Sequence, residues 1–97
     1  MQTYIALAKF TDQGIKSVKD TVRRADAAKE VASRYGVRMK EIFWTLGEYD
    51  LVVLLEANDD ASLTAFNLGV CSAGNVKFQT LRAFSRDETS ALLGKIQ

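Results

Sequence analysis

The 97-residue sequence contains no histidine and no proline, and only one cysteine and one tryptophan. Without histidine, the commonest general base of neutral-pH catalysis is missing, and every Ser–His or Cys–His nucleophile is missing with it. Zinc, copper and haem-iron sites of the usual kinds also lack ligands, so no metal and no cofactor is expected. Cys71 has no partner for an internal disulfide and no basic neighbour to activate it. It reads as a small buried hydrophobe in a helix. No P-loop or Rossmann fingerprint is present. No apolar run approaches the roughly 20 residues that a spanning helix needs, and no membrane partner is expected. Met1-Gln2-Thr3 leads straight into an alternating segment, which argues for a cytoplasmic chain without a secretory leader. With no linker or low-complexity stretch, residues 1–97 are expected to form one domain.

Charge of one sign is scarce as well. Thirteen Lys and Arg residues offset twelve Asp and Glu, and Arg23-Arg24 is the only basic doublet. Phosphate binding calls for cations gathered on one face, so nucleic acid is not an expected partner. What the chain has is apolar residues, 47% of the total against 26% charged, a globular balance.

Gln2 to Phe10 alternates with period two and reads as a strand. Tyr4, Ala6, Ala8 and Phe10 lie on one face, with Ile5 and Leu7 on the other. Thr11-Asp12-Gln13-Gly14 breaks it and supplies helix-capping oxygens. Ile15, Val18, Val22, Ala25, Val31, Ala32 and Tyr35 then recur at helical spacing, with an interruption expected near Thr21 to Arg24, until Gly36 ends the helix. Val37 to Leu46 is a second strand and Leu51 to Ala57 a third, joined by the turn Gly47-Glu48-Tyr49-Asp50. Asn58-Asp59-Asp60 caps a second helix whose apolar surface is read as Ala61, Ala65, Phe66, Leu68 and Val70. Asn75 to Phe84 is a fourth strand. Ser85-Arg86-Asp87-Glu88 matches a capping box opening a short C-terminal helix.

This order, β-α-β-β-α-β plus a tail helix, gives a ferredoxin-like α+β fold: a four-stranded antiparallel sheet with both helices on one face. A sheet with one wet face should alternate apolar and polar residues. Here Leu51, Val53 and Leu55 oppose Val52 and Leu54, and Ile42, Trp44 and Leu46 oppose Met39 and Phe43. Two helices cover only one side, and the tail helix offers just Leu92, Leu93 and Ile96 for the other. The uncovered face is therefore expected to meet a second copy, giving a homodimer or larger homo-oligomer.

Thr45-Leu46-Gly47-Glu48-Tyr49-Asp50, followed by an apolar strand, resembles the motif that names the GYD-domain family. Phe10 to Ile15, Glu56 to Asp60, Gly74-Asn75-Val76 and Thr80 to Phe84 add to the resemblance, which spans nearly the whole chain. It implies a dimeric α/β barrel in which two sheets face each other, and no particular activity. Gly47 to Phe84 is also similar to the effector-binding domain of Lrp/AsnC-type regulators. That likeness implies small metabolites, often amino acids, held at subunit interfaces. No helix-turn-helix precedes it here, so the resemblance is to the effector module alone.

Four residues are candidates for ligand contact. Trp44, together with Tyr4, suits a cavity between facing sheets, although strand aromatics more commonly serve packing. Tyr49 and Asp50 suit a polar rim, although Gly47, Glu48 and Asp50 also make sense purely as turn residues. Arg82 shares a face with Phe78 and Phe84 and, if buried, needs a carboxylate from Glu41, Glu48, Asp50 or a ligand, although a strand-end arginine more commonly reaches solvent. The leading expectation is a non-enzymatic homo-oligomeric module binding a small metabolite between subunits. The alternatives are a cofactor-free oxygenase or isomerase of the same barrel class, built on Tyr, Asp or Arg, and a purely structural protein-interaction module.

Overall fold

A computed structural model describes residues 1–97. The strands are β1 (Gln2–Phe10), β2 (Val37–Trp44), β3 (Leu51–Ala57) and β4 (Val76–Ala83). The helices are α1 (Asp12–Lys16), α2 (Thr21–Ala32), α3 (Asp60–Ser72) and α4 (Arg86–Leu93). One antiparallel sheet runs in the order β2-β3-β1-β4, which is the ferredoxin-like arrangement. No helix is long and apolar enough to cross a membrane.

The alternation in β1 and β3 decides which side is the core. Tyr4, Ala6 and Ala8 of β1 and Leu51, Val53, Leu55 and Ala57 of β3 are buried under the helices, joined by Ala32, Leu63 and Phe66. Three of the four helices, α1, α3 and α4, begin at a residue whose side chain caps a free amide, whereas α2 follows a 3-10 turn without a side-chain cap. Thr11 accepts from Gly14, Asp59 from Ser62, and Ser85 from Glu88 in a complete capping box. Such caps contribute about 1 kcal/mol each.

Three local readings change. The break in the first helical segment falls at Ser17, followed by a 3-10 turn over Val18–Asp20, so it precedes Thr21. That break resets the helical phase. Val22 faces solvent, while Ala25, Ala28 and Ala32 turn toward the sheet at spacings of three and four. In α3 the inward residues are Leu63, Phe66 and Asn67, with Val70 packed against them, whereas Leu68 is exposed. In β2 the register shifts between Met39 and Glu41. The extra residue places Met39 and Ile42 on the same, helix-covered face, instead of opposing them. Leu46 lies beyond the strand and is fully exposed.

The start of α1 is tied to the entrance of β4. Thr11 N–H donates to the Asn75 carbonyl at 3.0 Å, Thr11 Oγ1 donates to the Gly74 carbonyl, and Gln13 Nε2 reaches the Ala73 carbonyl at 3.1 Å. Gly14 is buried against this crossing, and a Cβ there would stand 1.9 Å from the Asn75 carbonyl oxygen. Backbone has to move to admit even a methyl group. Gly14→Ala should therefore lower unfolding stability by about 1–3 kcal/mol, the usual range for overpacking. A urea midpoint equal to wild type would show that the crossing is loose.

Candidate functional site

No helix lies over the other face of the sheet. The pairing register puts Ile5 beside Leu54 and Leu81, and Leu7 beside Val52 and Gln79, at the centre of that face. Phe43 stands next to Val52 and is 56% exposed, and Leu81 is 42% exposed. Charge lies at the ends and along the outer strand β2, where Glu41 stands beside Leu54. Glu56 pairs with Arg38 and Lys40 at 3.8 and 3.7 Å near one end. At the other end Lys9 lies 5.3 Å from the Tyr49 ring centre. Exposed pairs of this kind contribute little stability. They do frame an apolar centre with polar edges, which is how protein interfaces are built.

The tail leaves this face open. α4 has no extended packing against the sheet or the other helices. The radius of gyration is 14.6 Å, whereas a compact chain of this length has about 12.5 Å. Leu93 and Ile96 are exposed on the projecting segment.

The four residues singled out from the sequence lie in three places. Tyr49 is on the open face, its hydroxyl donating to Gln79 Oε1 at 2.7 Å. Asp50 is a strut: its Oδ2 accepts from Phe10 N–H and its own N–H donates to the Ala8 carbonyl, both at 2.8 Å. Gly47, at φ 128°, gives the preceding turn a backbone that L side chains rarely adopt, while Glu48 is exposed. Trp44 and Tyr4 both belong to the helix-covered face. The Trp44 indole donates to Thr21 Oγ1 at 3.0 Å at the start of α2.

Arg82 lies at the far end of β4, in a groove of about 420 Å³ between α3 and β4 that also contains Tyr4, Asp60, Asn67 and Cys71. Its carboxylate partner is Glu88 of the α4 capping box at 3.4 Å, and none of Glu41, Glu48 and Asp50 serves. The guanidinium also stacks 4.4 Å from the Phe84 ring centre. Glu88 is held below the usual carboxylate range, first by the Ser85 amide and hydroxyl and then by Arg82. Asp59 is lowered likewise by Ser62. Asn67 escaped the sequence reading. It is 8% exposed, Nδ2 donates to Thr80 Oγ1 at 2.7 Å, and Oδ1 has no partner. The one available signal was a polar side chain within the Leu63, Phe66, Val70 stripe.

A GYD domain family model matches residues 4–93. The chain belongs to the GYD domain family. Among curated proteins it is 37% identical over 84 residues to the "Glutamine synthetase and cystathionine beta-lyase binding protein" of Thermus thermophilus, covering 86% of this chain and 88% of the relative. Among solved structures it is similar to TTHA0845, also from Thermus thermophilus, at 25% identity and a TM-score of 0.56, with 88% and 95% of the two chains covered. FFRP-DM1 shares the fold at 20% identity and a TM-score of 0.60, covering 87% of this chain and 100% of that one. Family and relative together suggest a small binding or interaction domain.

The Tyr4 phenol is pushed up to about 12 by burial, by its hydrogen bond to Asp60 and by the Asp60 charge. The folded chain thus holds this proton more tightly than the unfolded chain, whose tyrosine titrates near its ordinary 10.0. Between these two values the unfolded chain ionises first, so stability is full below pH ~10 and falls as pH rises toward ~12. In urea titrations between pH 8 and 11.5, Tyr4→Phe should start less stable and lose less with rising pH. Parallel curves would show that Tyr4 ionises freely.

Proposed function

We propose that this GYD domain is a non-catalytic, cytoplasmic interaction module that docks through its open sheet face, primarily onto a second copy of itself. The observation that carries this reading is the apolar centre formed by Ile5, Leu7, Val52, Leu54 and Leu81, with Phe43 beside it, on a side that no part of the chain covers. A second copy presents the same apolar centre inside the same polar margin, so two faces match when related by a two-fold axis. A standard interface needs roughly 800 Å² from each partner, which is the scale of one face of a four-stranded sheet. Leu93 at the end of α4 and Ile96 beyond it are exposed and add apolar surface available to a neighbour.

Chemistry on the chain fits binding better than turnover. The one phenol with a large displacement, Tyr4, is moved away from neutrality, so it supplies no general base at neutral pH. The free, partly buried Cys71 suits a reducing compartment. The relative's name supports enzymes, glutamine synthetase and cystathionine β-lyase, as further partners of the assembled module.

Sedimentation at micromolar concentration should give a dimer or larger species for the unmodified chain. Leu54→Lys should give a folded monomer, and Leu68→Lys on the outer side of α3 should behave as wild type. Association unaffected by Leu54→Lys would remove the sheet face from the account. Calorimetry with purified glutamine synthetase and cystathionine β-lyase from the same cell should show saturable heat for at least one. No heat with either would confine the proposal to self-association.

A further inference from the structure

The helix-covered side is less completely filled than its apolar composition leads one to expect. The side of α2 turned toward the sheet is dominated by small residues, Ala25 and Ala28 among them. These small side chains leave a cavity of about 360 Å³ between α2, α3 and the sheet. Ala25 and Ala28 form its roof, with Ile42, Leu51, Phe66 and Phe78 among the walls. That volume is at the lower end of small-molecule sites, about 300–1,000 Å³, which are mostly apolar with a few placed polar groups.

The polar lining is small and specific. Thr21, Arg24 and Asn75 are its conspicuous polar members, and Thr21 and Arg24 are one helical turn apart on α2. Arg24 is partly buried, and its guanidinium reaches only neutral oxygens: Ser17 Oγ at 3.3 Å and the Gly14 carbonyl at 3.4 Å. It takes part in none of the chain's five ion pairs. A guanidinium taken partly out of water beside an apolar chamber is satisfied best by a planar, two-oxygen anion. Thr21 Oγ1 already accepts from the Trp44 indole, which leaves its own O–H free to donate to the same anion.

We propose that this cavity binds a small amphipathic carboxylate. Its hydrocarbon body fills the space under Ala25 and Ala28, and its carboxylate pairs with Arg24 and the Thr21 hydroxyl. The site is on the opposite side of the sheet from the docking face and stands independently of the self-association reading.

Trp44 is the chain's single tryptophan and touches Thr21, so its fluorescence reports occupancy. Octanoate, octan-1-ol and octylamine share a tail and differ in the headgroup. Titrating the unmodified protein with each should give saturable quenching or shift with octanoate, at least tenfold weaker binding of octan-1-ol, and none of octylamine. Arg24→Gln should weaken octanoate at least tenfold, with Arg24→Lys recovering part of the loss, each variant unfolding cooperatively. Ala28→Leu, which fills the cavity, should abolish binding; where it does not fold, the headgroup series and the Arg24 pair decide. Octylamine binding as tightly as octanoate, octanoate binding indifferent to Arg24→Gln, or no saturable octanoate signal up to millimolar concentration would overturn the proposal.

Discussion

Two adjacent central strands, β1 and β3, carry apolar side chains on both faces, while the connections between strands put α1, α2 and α3 on one side of the sheet. This mismatch governs the molecule. A right-handed β-α-β crossover cannot place its helix on the far side, so one chain can dry only one face. The helices take the face bearing Tyr4, Ala6, Ala8, Val53 and Leu55, and Ile5, Leu7, Val52 and Leu54 remain for something else. The hairpin strut at Asp50, the crossing of Gly14 over Asn75 and the three capped helix starts fix the strands that display this face, without covering it.

The division also separates two kinds of recognition. The open face has an apolar centre with charge at its ends and along β2, and such surfaces suit another protein. The helix side is concave because small residues dominate the side of α2 facing the sheet, and concave apolar space suits a small molecule. A ligand under α2 would contact the same strands, β2 and β3, whose opposite side chains lie on the face proposed for docking. Val53 and Leu51 line the cavity while Val52 and Leu54 alternate with them outward. One strand therefore serves both surfaces.

Much of this was legible from residues alone. Period-two alternation located β1 and β3, capping oxygens at Thr11, Asp59 and Ser85 located helix starts, and the two-faced strands pointed to the uncovered side. Features that depend on a single inserted or phase-setting residue were not legible. The shift at Lys40 in β2 adds one residue to an otherwise regular pattern, and alternation counted across it assigns Met39 to the wrong face. Ser17 resets the helix, so Val22 is displaced outward. Ala28, absent from the apolar stripe read in the sequence, turns inward beside Ala25 and Ala32, which that stripe had placed correctly. The partners of Arg82 and Arg24 were equally hidden, since Glu88 follows on the same chain end and the Gly14 carbonyl belongs to the backbone. Pairings of that sort depend on where chain segments cross, which periodicity does not record.

The claim that water is kept from the open face is most directly tested by methyl NMR with a soluble paramagnetic agent at micromolar protein concentration. The methyls of Leu54 and Leu81 should be shielded, whereas those of Leu68 and Val22, on the outer surfaces of α3 and α2, should be broadened strongly. Leu54 and Leu81 broadened as much as Leu68 would mean that this face is bathed in solvent, and the account of a partner-dried sheet would fail.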